Sequence, residues 1–522
     1  MAIACTYSVA LVGVTGQVVQ VEADIANGLV GMTLVGLPDT ALREARDRIR
    51  AAILNSGEKW PQQRITVGLS PASLPKRGSW FDLGIAMGIL AAAGAVPRTA
   101  VREVVFFGEL GLDGRLRPVR GVLPAVVAAA EQGFGTIVVA VENAAEAALV
   151  PDVRVIAAGS LTAVADWLRG TPGLHGEVTP AAEYRHEHLT GGANWQAEVG
   201  LSRPDLAEVL GQSMARKALE ICAAGGHHLS LLGPPGAGKT MLAERLPTIL
   251  PPLDRAAALD VTSIHSVAGT LPSEVPLLTE PPFLAPHHTA SKAAIVGGGS
   301  SGRIRPGAAS LAHRGVLFLD EAPEFDRDVL DALRQPLEDG KITLARSGIT
   351  TSFPARFTLV LAANPCPCAK VAGPAEGCSC SPATRRRYLG KLSGPLMDRV
   401  DVKVELMPVG RKELLNDRNM AESSHDVAMR VTTARERAAH RLHDTRWRLN
   451  AEVPGSELRR HWPPKRGALV HVERALERGL ISARGVIKVI RVGWTIADLL
   501  GKDQPGADEC EAALSFWLGV TR

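Results

Sequence analysis

Residues 229–240 read LSLLGPPGAGKT, an apolar strand-like run, a turn with three glycines, then a lysine and a threonine that open the helix-compatible stretch MLAERL. Few folds accommodate that order. A strand must feed a helix through a loop whose main-chain N–H groups turn inward, and glycine supplies the left-handed backbone such a loop needs. A concave row of N–H donors at the positive end of a helix is a cradle for phosphate oxygens. Gly233, Pro234, Pro235, Gly236, Ala237 and Gly238 are therefore assigned to the cradle of a bound ATP. Lys239 is expected at the β- and γ-phosphates, and Thr240 on Mg²⁺.

Two further apolar runs end in polar groups of the matching kind. In GVLFLDE, residues 315–321, the strand ends in Asp320 and Glu321. Phosphate-loop enzymes use such a pair to hold the metal through water and to polarise the attacking water, so Asp320 takes the first role and Glu321 the second. The run 357–363 ends at Asn364, which a parallel sheet would deliver to the same edge, where ligands bind, to orient that water.

At 522 residues the chain exceeds what one core holds, and about two to four domains are expected. No apolar run approaches the ~20 residues of a bilayer helix. MAIACTYSVALVGVTGQ at the amino terminus lacks a basic leader segment and reads as a first strand, so a cytoplasmic, non-membrane protein is expected. Lys and Arg number 58 against 54 Asp and Glu, a balance of +4 that does not by itself specify a nucleic-acid partner.

The organisation is α/β and multidomain. Residues 1–170 alternate short β-rich runs with Ala-rich helical runs such as 40–56 and 123–132, and 171–200 has the Gly, Pro, His and Thr content of a linker. A helix is expected over 202–223, with Ser202 as N-cap and Pro204 in its first turn. Strands and helices alternate to 408, and 409–522 reads as a helical lid, with Arg-rich helices at 427–441, 469–478 and 485–500.

The order GPPGAGKT, APHHTASKAAIVGGG, PGAASLAHRGVLFLDEAPEF, ALRQPLEDGKITLAR, LAANPCPC and KLSGPLMDRVDV resembles the magnesium-chelatase-like AAA+ ATPases, specifically the ComM/YifB family. The likeness runs from VALVGVTGQVVQVEADIANG to SARG and TIADL. It implies a homo-hexameric ring with ATP between subunits, a central AAA+ phosphate-loop ATPase core at 201–408 and a lid at 409–522. In that pattern Arg399 of LMDRVD is the finger that reaches a neighbour's γ-phosphate, and Arg484 of SARG is a sensor of its own nucleotide. A guanidinium suits both roles, being permanently charged and forked. Trp494 stands where the family commonly has an alanine-arginine pair, and Arg491 is the candidate to compensate.

Residues 1–170 further resemble the Lon proteolytic domain, a ribosomal-S5-domain-2-like fold, through LPKRGSWFDLGIAMGILAA and FGELGLDGRLRPVRGVLPAVVAAAEQG. Where Lon has its serine and lysine this chain has Trp80 and Leu123. Neighbouring Ser79 and Lys76 read as loop residues, so the domain is expected to be non-proteolytic, a docking or DNA-guiding module.

Cys366, Cys368, Cys378 and Cys380 form two C-x-C pairs in a Pro/Gly loop over 366–380. Four thiolates suit tetrahedral Zn²⁺, the alternative being free or redox-active thiols. Arg385, Arg386 and Arg387 beside Tyr388, with Arg430, Arg435, Arg437, Arg441, Arg446 and Arg448 in the lid, suit a phosphate backbone, the alternative being a solvated basic face. His287, His288, Ser291 and Lys292 occupy the insertion that carries pore-facing loops in AAA+ relatives, where they would meet DNA or simply pack locally. The family implies a motor on branched or single-stranded DNA, promoting branch migration or helicase-like remodelling in natural transformation. The competing reading is a chelatase motor subunit that drives metal insertion with partner subunits.

Overall fold

The computed structural model describes residues 2–36, 40–74, 76, 78–171, 204–272, 275–299, 304–346, 349–368, 378–410 and 421–520. Apart from Thr171, the expected linker lies outside them, as does Ser202.

The amino-terminal sheet is mixed and seven-stranded. Its strands are β1 (Ala2–Val12), β2 (Thr15–Ala26), β3 (Gly31–Val35), β4 (Arg64–Ser70), β5 (Val104–Phe106), β8 (Thr136–Ala140) and β9 (Arg154–Ala158), in the order β3-β4-β2-β1-β5-β8-β9. A short antiparallel pair, β6 (Glu109–Leu110) and β7 (Leu116–Arg117), lies between β5 and β8 in sequence. β1 and β2 form an antiparallel hairpin, Ala2 opposite Ile25 and Val12 opposite Thr15. The helix Asp82–Ala92 packs on them, buried at every position. Thr6 Oγ1 donates to the Gly84 carbonyl at 2.8 Å and ties the helix to β1. Asp82 is buried with its carboxylate on Arg48, yet burial still pushes its pKa up to about 6.

The second sheet is parallel throughout. It comprises β10 (Leu229–Leu232), β11 (Phe283–Leu284), β12 (Val316–Leu319), β15 (Thr358–Ala363) and β16 (Val402–Glu405) in the order β11-β12-β15-β10-β16. A hairpin of β13 (Lys341–Arg346) and β14 (Ile349–Pro354) stands apart. Successive strand side chains point to opposite faces. Leu229, Leu231, Val316, Phe318 and Val360 therefore enter one core with residues of the helices beyond 424, while Leu317, Leu319, Leu359 and Leu361 enter another on the far face. Burial of both faces explains why these strands read as continuous apolar runs.

Beyond 409 the described α-helices are Ser424–Arg441, Gly455–His461, Val470–Glu477, Ala483–Leu499 and Ala507–Leu518, of which the first, third and fourth match the expected 427–441, 469–478 and 485–500 and the other two were not expected. The helix expected from Ser202 begins at Ser213 instead and runs to Gly225. Asp205 caps only a short 3₁₀ turn, Leu206–Glu208, and Gly211 and Gln212 then take left-handed backbone that breaks any continuous helix. Asp205 does other work: its carboxylate accepts the Ser424 N–H at 3.0 Å, joining the core to the lid. The two sheets meet at the helix Arg255–Ala268. There buried Glu146 accepts the Leu123 N–H and the Ser266 hydroxyl, and Ser266 in turn accepts the Gly121 N–H. No helix among the described residues is long and apolar enough to cross a membrane.

Several histidines are locked neutral in the interior. Nδ1 of His228 accepts the Leu359 N–H at 3.0 Å, and Nδ1 of His313 accepts the Arg356 N–H at 3.0 Å, so neither nitrogen can carry a proton. Burial holds His227 and His228 down at about 4 and His313 at about 3. In the unfolded chain histidine titrates near about 6.5. The stabilisation is thus complete above that pH and is lost as the pH falls toward 4, because only the unfolded chain takes up the protons. Urea midpoints are expected to be flat from pH 8 to 7 and to fall below about 6.5, each histidine contributing up to about 1.4 kcal/mol per pH unit; a midpoint that rises on acidification over this interval contradicts the assignment.

Candidate functional site

The parallel register sets three strand ends side by side. Leu232 pairs with Ala363 and Leu319 with Leu361, so the loop after β10, Asn364 after β15 and Asp320 after β12 share one edge. The residues 233–238 close the turn, with Gly236 and Gly238 left-handed at φ 76° and 88°, and the helix Lys239–Arg245 follows at once. The Gly233 N–H bonds the Ala363 carbonyl at 3.1 Å, which anchors the loop to the central strand.

The side chains converge as the motifs require. Lys239 Nζ donates to the carbonyls of Gly233 and Pro234 at 2.7 and 2.9 Å and to Asn364 Oδ1 at 3.0 Å. Burial lowers its pKa, with Asp320 and Glu321 opposing. The Thr240 hydroxyl donates to Asp320 Oδ2 at 2.8 Å, and Asp320 Oδ1 accepts the Glu321 N–H at 2.8 Å. A hydroxyl and a carboxylate in contact at the mouth of a phosphate cradle form a donor set of the kind Mg²⁺ takes alongside phosphate oxygens. Glu321 itself sits at φ 49°, a left-handed conformation that costs a non-glycine residue roughly 1–2 kcal/mol. Such strain is kept where geometry matters, and here it sets the direction in which the carboxylate leaves the strand.

One neighbour of that carboxylate was not visible in the sequence. His288 Nδ1 lies 3.4 Å from Glu321 Oε2, and the His287 ring lies tilted against His288 with centroids 4.1 Å apart. His288 thus stands beside the site, while His287 is exposed. Lys292 is exposed and opens the helix Lys292–Val296, capped by Ser291.

Arg399 and Arg484 form a second cluster. Arg484 Nη1 donates to Asp398 Oδ2 at 2.8 Å, while Arg399 pairs with Glu338 and donates from Nη1 to the Pro395 carbonyl at 2.6 Å. Nε of Arg399 is buried with no hydrogen-bond partner among the described residues. No described hydrogen bond or ion pair joins either arginine to the phosphate loop within one chain. Arg491, the candidate to compensate for Trp494, is half-buried and donates to the Val453 carbonyl at 2.8 Å. Trp494 is a core residue whose Nε1 donates to the Trp462 carbonyl, under the guanidinium of Arg441.

The four sulfurs of Cys366, Cys368, Cys378 and Cys380 all lie within 4.8 Å of one another, two residues beyond Asn364. Ser381 then caps the helix Pro382–Leu389, on which Arg385, Arg386 and Arg387 are exposed and Tyr388 is buried. The arginines beyond 424 divide. Arg430 pairs with Glu220 and Glu422, Arg435 donates to the Ala223 carbonyl, Arg437 donates to the Asp498 carbonyl, and Arg441 forks onto the Asp498 carboxylate at 2.5 and 2.7 Å. Arg435 and Arg441 are internal ties, whereas Arg437, Arg446 and Arg448 are exposed, Arg446 over the Trp447 ring.

Three profiles of one family cover most of the chain: "Magnesium chelatase, subunit ChlI" matches residues 205–414, "Subunit ChlI of Mg-chelatase" 21–143, and "Magnesium chelatase, subunit ChlI C-terminal" 421–517. Full-length relatives agree. The chain is 52% identical over 518 residues to a protein of Mycobacterium tuberculosis, covering 99% of each. It is 41% identical to competence protein ComM of Haemophilus influenzae and 39% identical to YifB of Escherichia coli, each over 518 residues, with 99% of this chain and 97% of the relative covered. The chain belongs to the ComM/YifB family. It is thus a magnesium-chelatase-like AAA+ ATPase, a class that implies ATP and Mg²⁺, consistent with the convergence of Lys239, Thr240, Asp320 and Asn364.

The family resemblance does not separate internal arginines from exposed ones, but stability will. Arg441→Ala strands the buried Asp498 carboxylate and is expected to cost about 3 kcal/mol. Arg386→Ala, on an exposed helix face, should stay within about 0.5 kcal/mol of the parent. Chemical denaturation of both variants checks this, and equal losses would refute the division.

Proposed function

We propose that this protein is an ATP-driven motor that remodels DNA, working as a homo-hexameric ring on branched or single-stranded substrates. The observation that carries the hydrolytic half is the meeting of Lys239, Thr240, Asp320, Glu321 and Asn364 on one sheet edge. Main-chain N–H groups of Gly236, Ala237 and Gly238, together with Lys239, hold the β- and γ-phosphates. Thr240 and Asp320 hold Mg²⁺, which neutralises phosphate charge when bound. Glu321 accepts a proton from the attacking water, Asn364 orients it, and Arg399 of one subunit reaches the γ-phosphate in the next. Arg484 senses the nucleotide in its own subunit.

The DNA half is supported by full-length similarity to competence protein ComM and by the exposed Arg385, Arg386 and Arg387. Basic side chains gain affinity for a phosphate backbone by releasing counterions. The amino-terminal region serves as a docking or guiding module without peptidase activity. Leu123 is fully buried and Trp80 packs against Phe81 and Phe107, while Ser79 donates to Glu109 and Lys76 to the Pro71 carbonyl.

ATP turnover by the purified protein is expected to rise on addition of a four-way DNA junction, and the rise to shrink with added salt. Lys239→Ala should abolish nucleotide binding. Glu321→Gln should bind ATP yet turn over about a hundredfold more slowly. Absence of turnover by the assembled protein would sink the motor, and absence of junction binding at low salt would sink its substrate. The chelatase reading has the family profiles in its favour; metal insertion into a porphyrin on reconstitution with partner subunits, without DNA stimulation, would establish it instead.

The four thiols fit a structural zinc ion, since sulfurs this close in a polar loop suit one tetrahedral cation. About one zinc per chain is expected by mass spectrometry of the purified protein, and its loss in Cys378→Ser. Protein that holds no zinc and takes up none under reducing conditions contradicts the site.

A further inference from the structure

Lys488 lies in the helix Ala483–Leu499, four residues after Arg484 and so on the same helix face. Its ammonium donates to the Arg399 main-chain carbonyl at 2.7 Å and to Asp401 Oδ1 at 2.7 Å. The pair is buried, with side-chain exposures of 10% and 3%, so no water can replace either bond cheaply. Asp401 Oδ2 accepts the His228 N–H at 3.0 Å, and the Asp401 N–H returns to the His228 carbonyl at 3.1 Å, on the approach to β10 and the phosphate loop. One turn earlier on the helix, Arg484 holds Asp398. A single lid helix therefore grips the segment 398–401 at three points: the Asp398 side chain, the Arg399 main chain and the Asp401 side chain.

We propose that Lys488 is a positioning residue that makes the lid helix a lever on Arg399, so that the nucleotide held by one subunit sets whether its arginine can reach the site of the next. This rests on the reading of Arg399 as acting across subunits. A rotation of the helix cannot leave the Arg399 main chain behind while both Lys488 bonds hold. The guanidinium must then move relative to Glu338 and Pro395, its present partners. Arg484, on the same helix, is the group through which bound nucleotide would turn it.

Lys488→Met alone would strand the Asp401 carboxylate in the interior. The variant to assay is therefore Lys488→Met/Asp401→Asn, which removes both charges together and keeps an acceptor for the His228 N–H. The full-length variant is expected to bind a fluorescent ATP analogue within about threefold of the parent and to lose ATP turnover at least about tenfold. Mixed rings locate the defect. Equal mixing of Arg399→Ala with Glu321→Gln subunits, which still bind ATP, leaves roughly a quarter of head-to-tail interfaces with an intact site facing an intact arginine, so turnover should reappear. The Lys488 variant should regain turnover with Glu321→Gln and not with Arg399→Ala, which marks it as a subunit with an intact site and a misplaced arginine. Recovery with Arg399→Ala instead, recovery with neither, or undiminished turnover by the variant alone overturns the proposal. If Arg399→Ala and Glu321→Gln fail to restore each other, the action of Arg399 across subunits is what fails, and the lever falls with it.

Discussion

Main-chain pairing of β15 between β10 and β12 is the constraint on which the site rests. Each strand ends in a different chemical group, and only a parallel arrangement in this register brings a glycine turn, an amide and two carboxylates to one edge. The Lys239 ammonium bridges the result, bonded to both the turn and the amide of the central strand. Strong backbone pairing thus fixes positions that the polar side chains could not hold for themselves. Those side chains are left free to exchange partners when a phosphate competes for them.

A second tier of order is electrostatic and interior. Asp401 and Asp498 are buried carboxylates, and each is satisfied by a cation from an element far away in sequence, Lys488 for the first and Arg441 for the second. Burial opposes ionisation of Asp401, but the charge of Lys488 and its direct hydrogen bond prevail and hold its pKa well below the usual range. Pairs of this kind specify one docking geometry between lid and core, because any displacement leaves a charge uncompensated. Apolar residues of the shared cluster, Val404 and Phe516 among them, supply area and tolerate sliding more readily.

Much of this was legible from the residues. The strand, turn and helix around 229–240, the acidic strand end and the amide strand end follow from apolar periodicity and glycine placement, which are local properties. The four cysteines were legible as a cluster because their spacing is short. The failures share a cause. The start expected at Ser202 ignored the left-handed pair Gly211 and Gln212, and Arg435 and Arg441 were grouped with surface arginines because their acceptors, the Ala223 carbonyl and the Asp498 carboxylate, lie far off in sequence. His288 beside Glu321 is a contact across 33 positions that no periodicity encodes. Lys488 did leave a trace, since it follows Arg484 by one helical turn, but its targets were hidden.

The contact of the amino-terminal sheet with the core has a consequence for how the chain can be divided. Glu146 is a carboxylate whose pKa is raised by burial, and one of the groups that covers it, Ser266, belongs to the other side of the boundary. Leu259, on the same helix, packs into the amino-terminal hydrophobic cluster. Separating the halves would open a greasy strip on one fragment and wet a shielded acid on the other. The leading region is in this respect a built-in lining for the engine behind it, and evolution could not discard it without resurfacing the helix Arg255–Ala268.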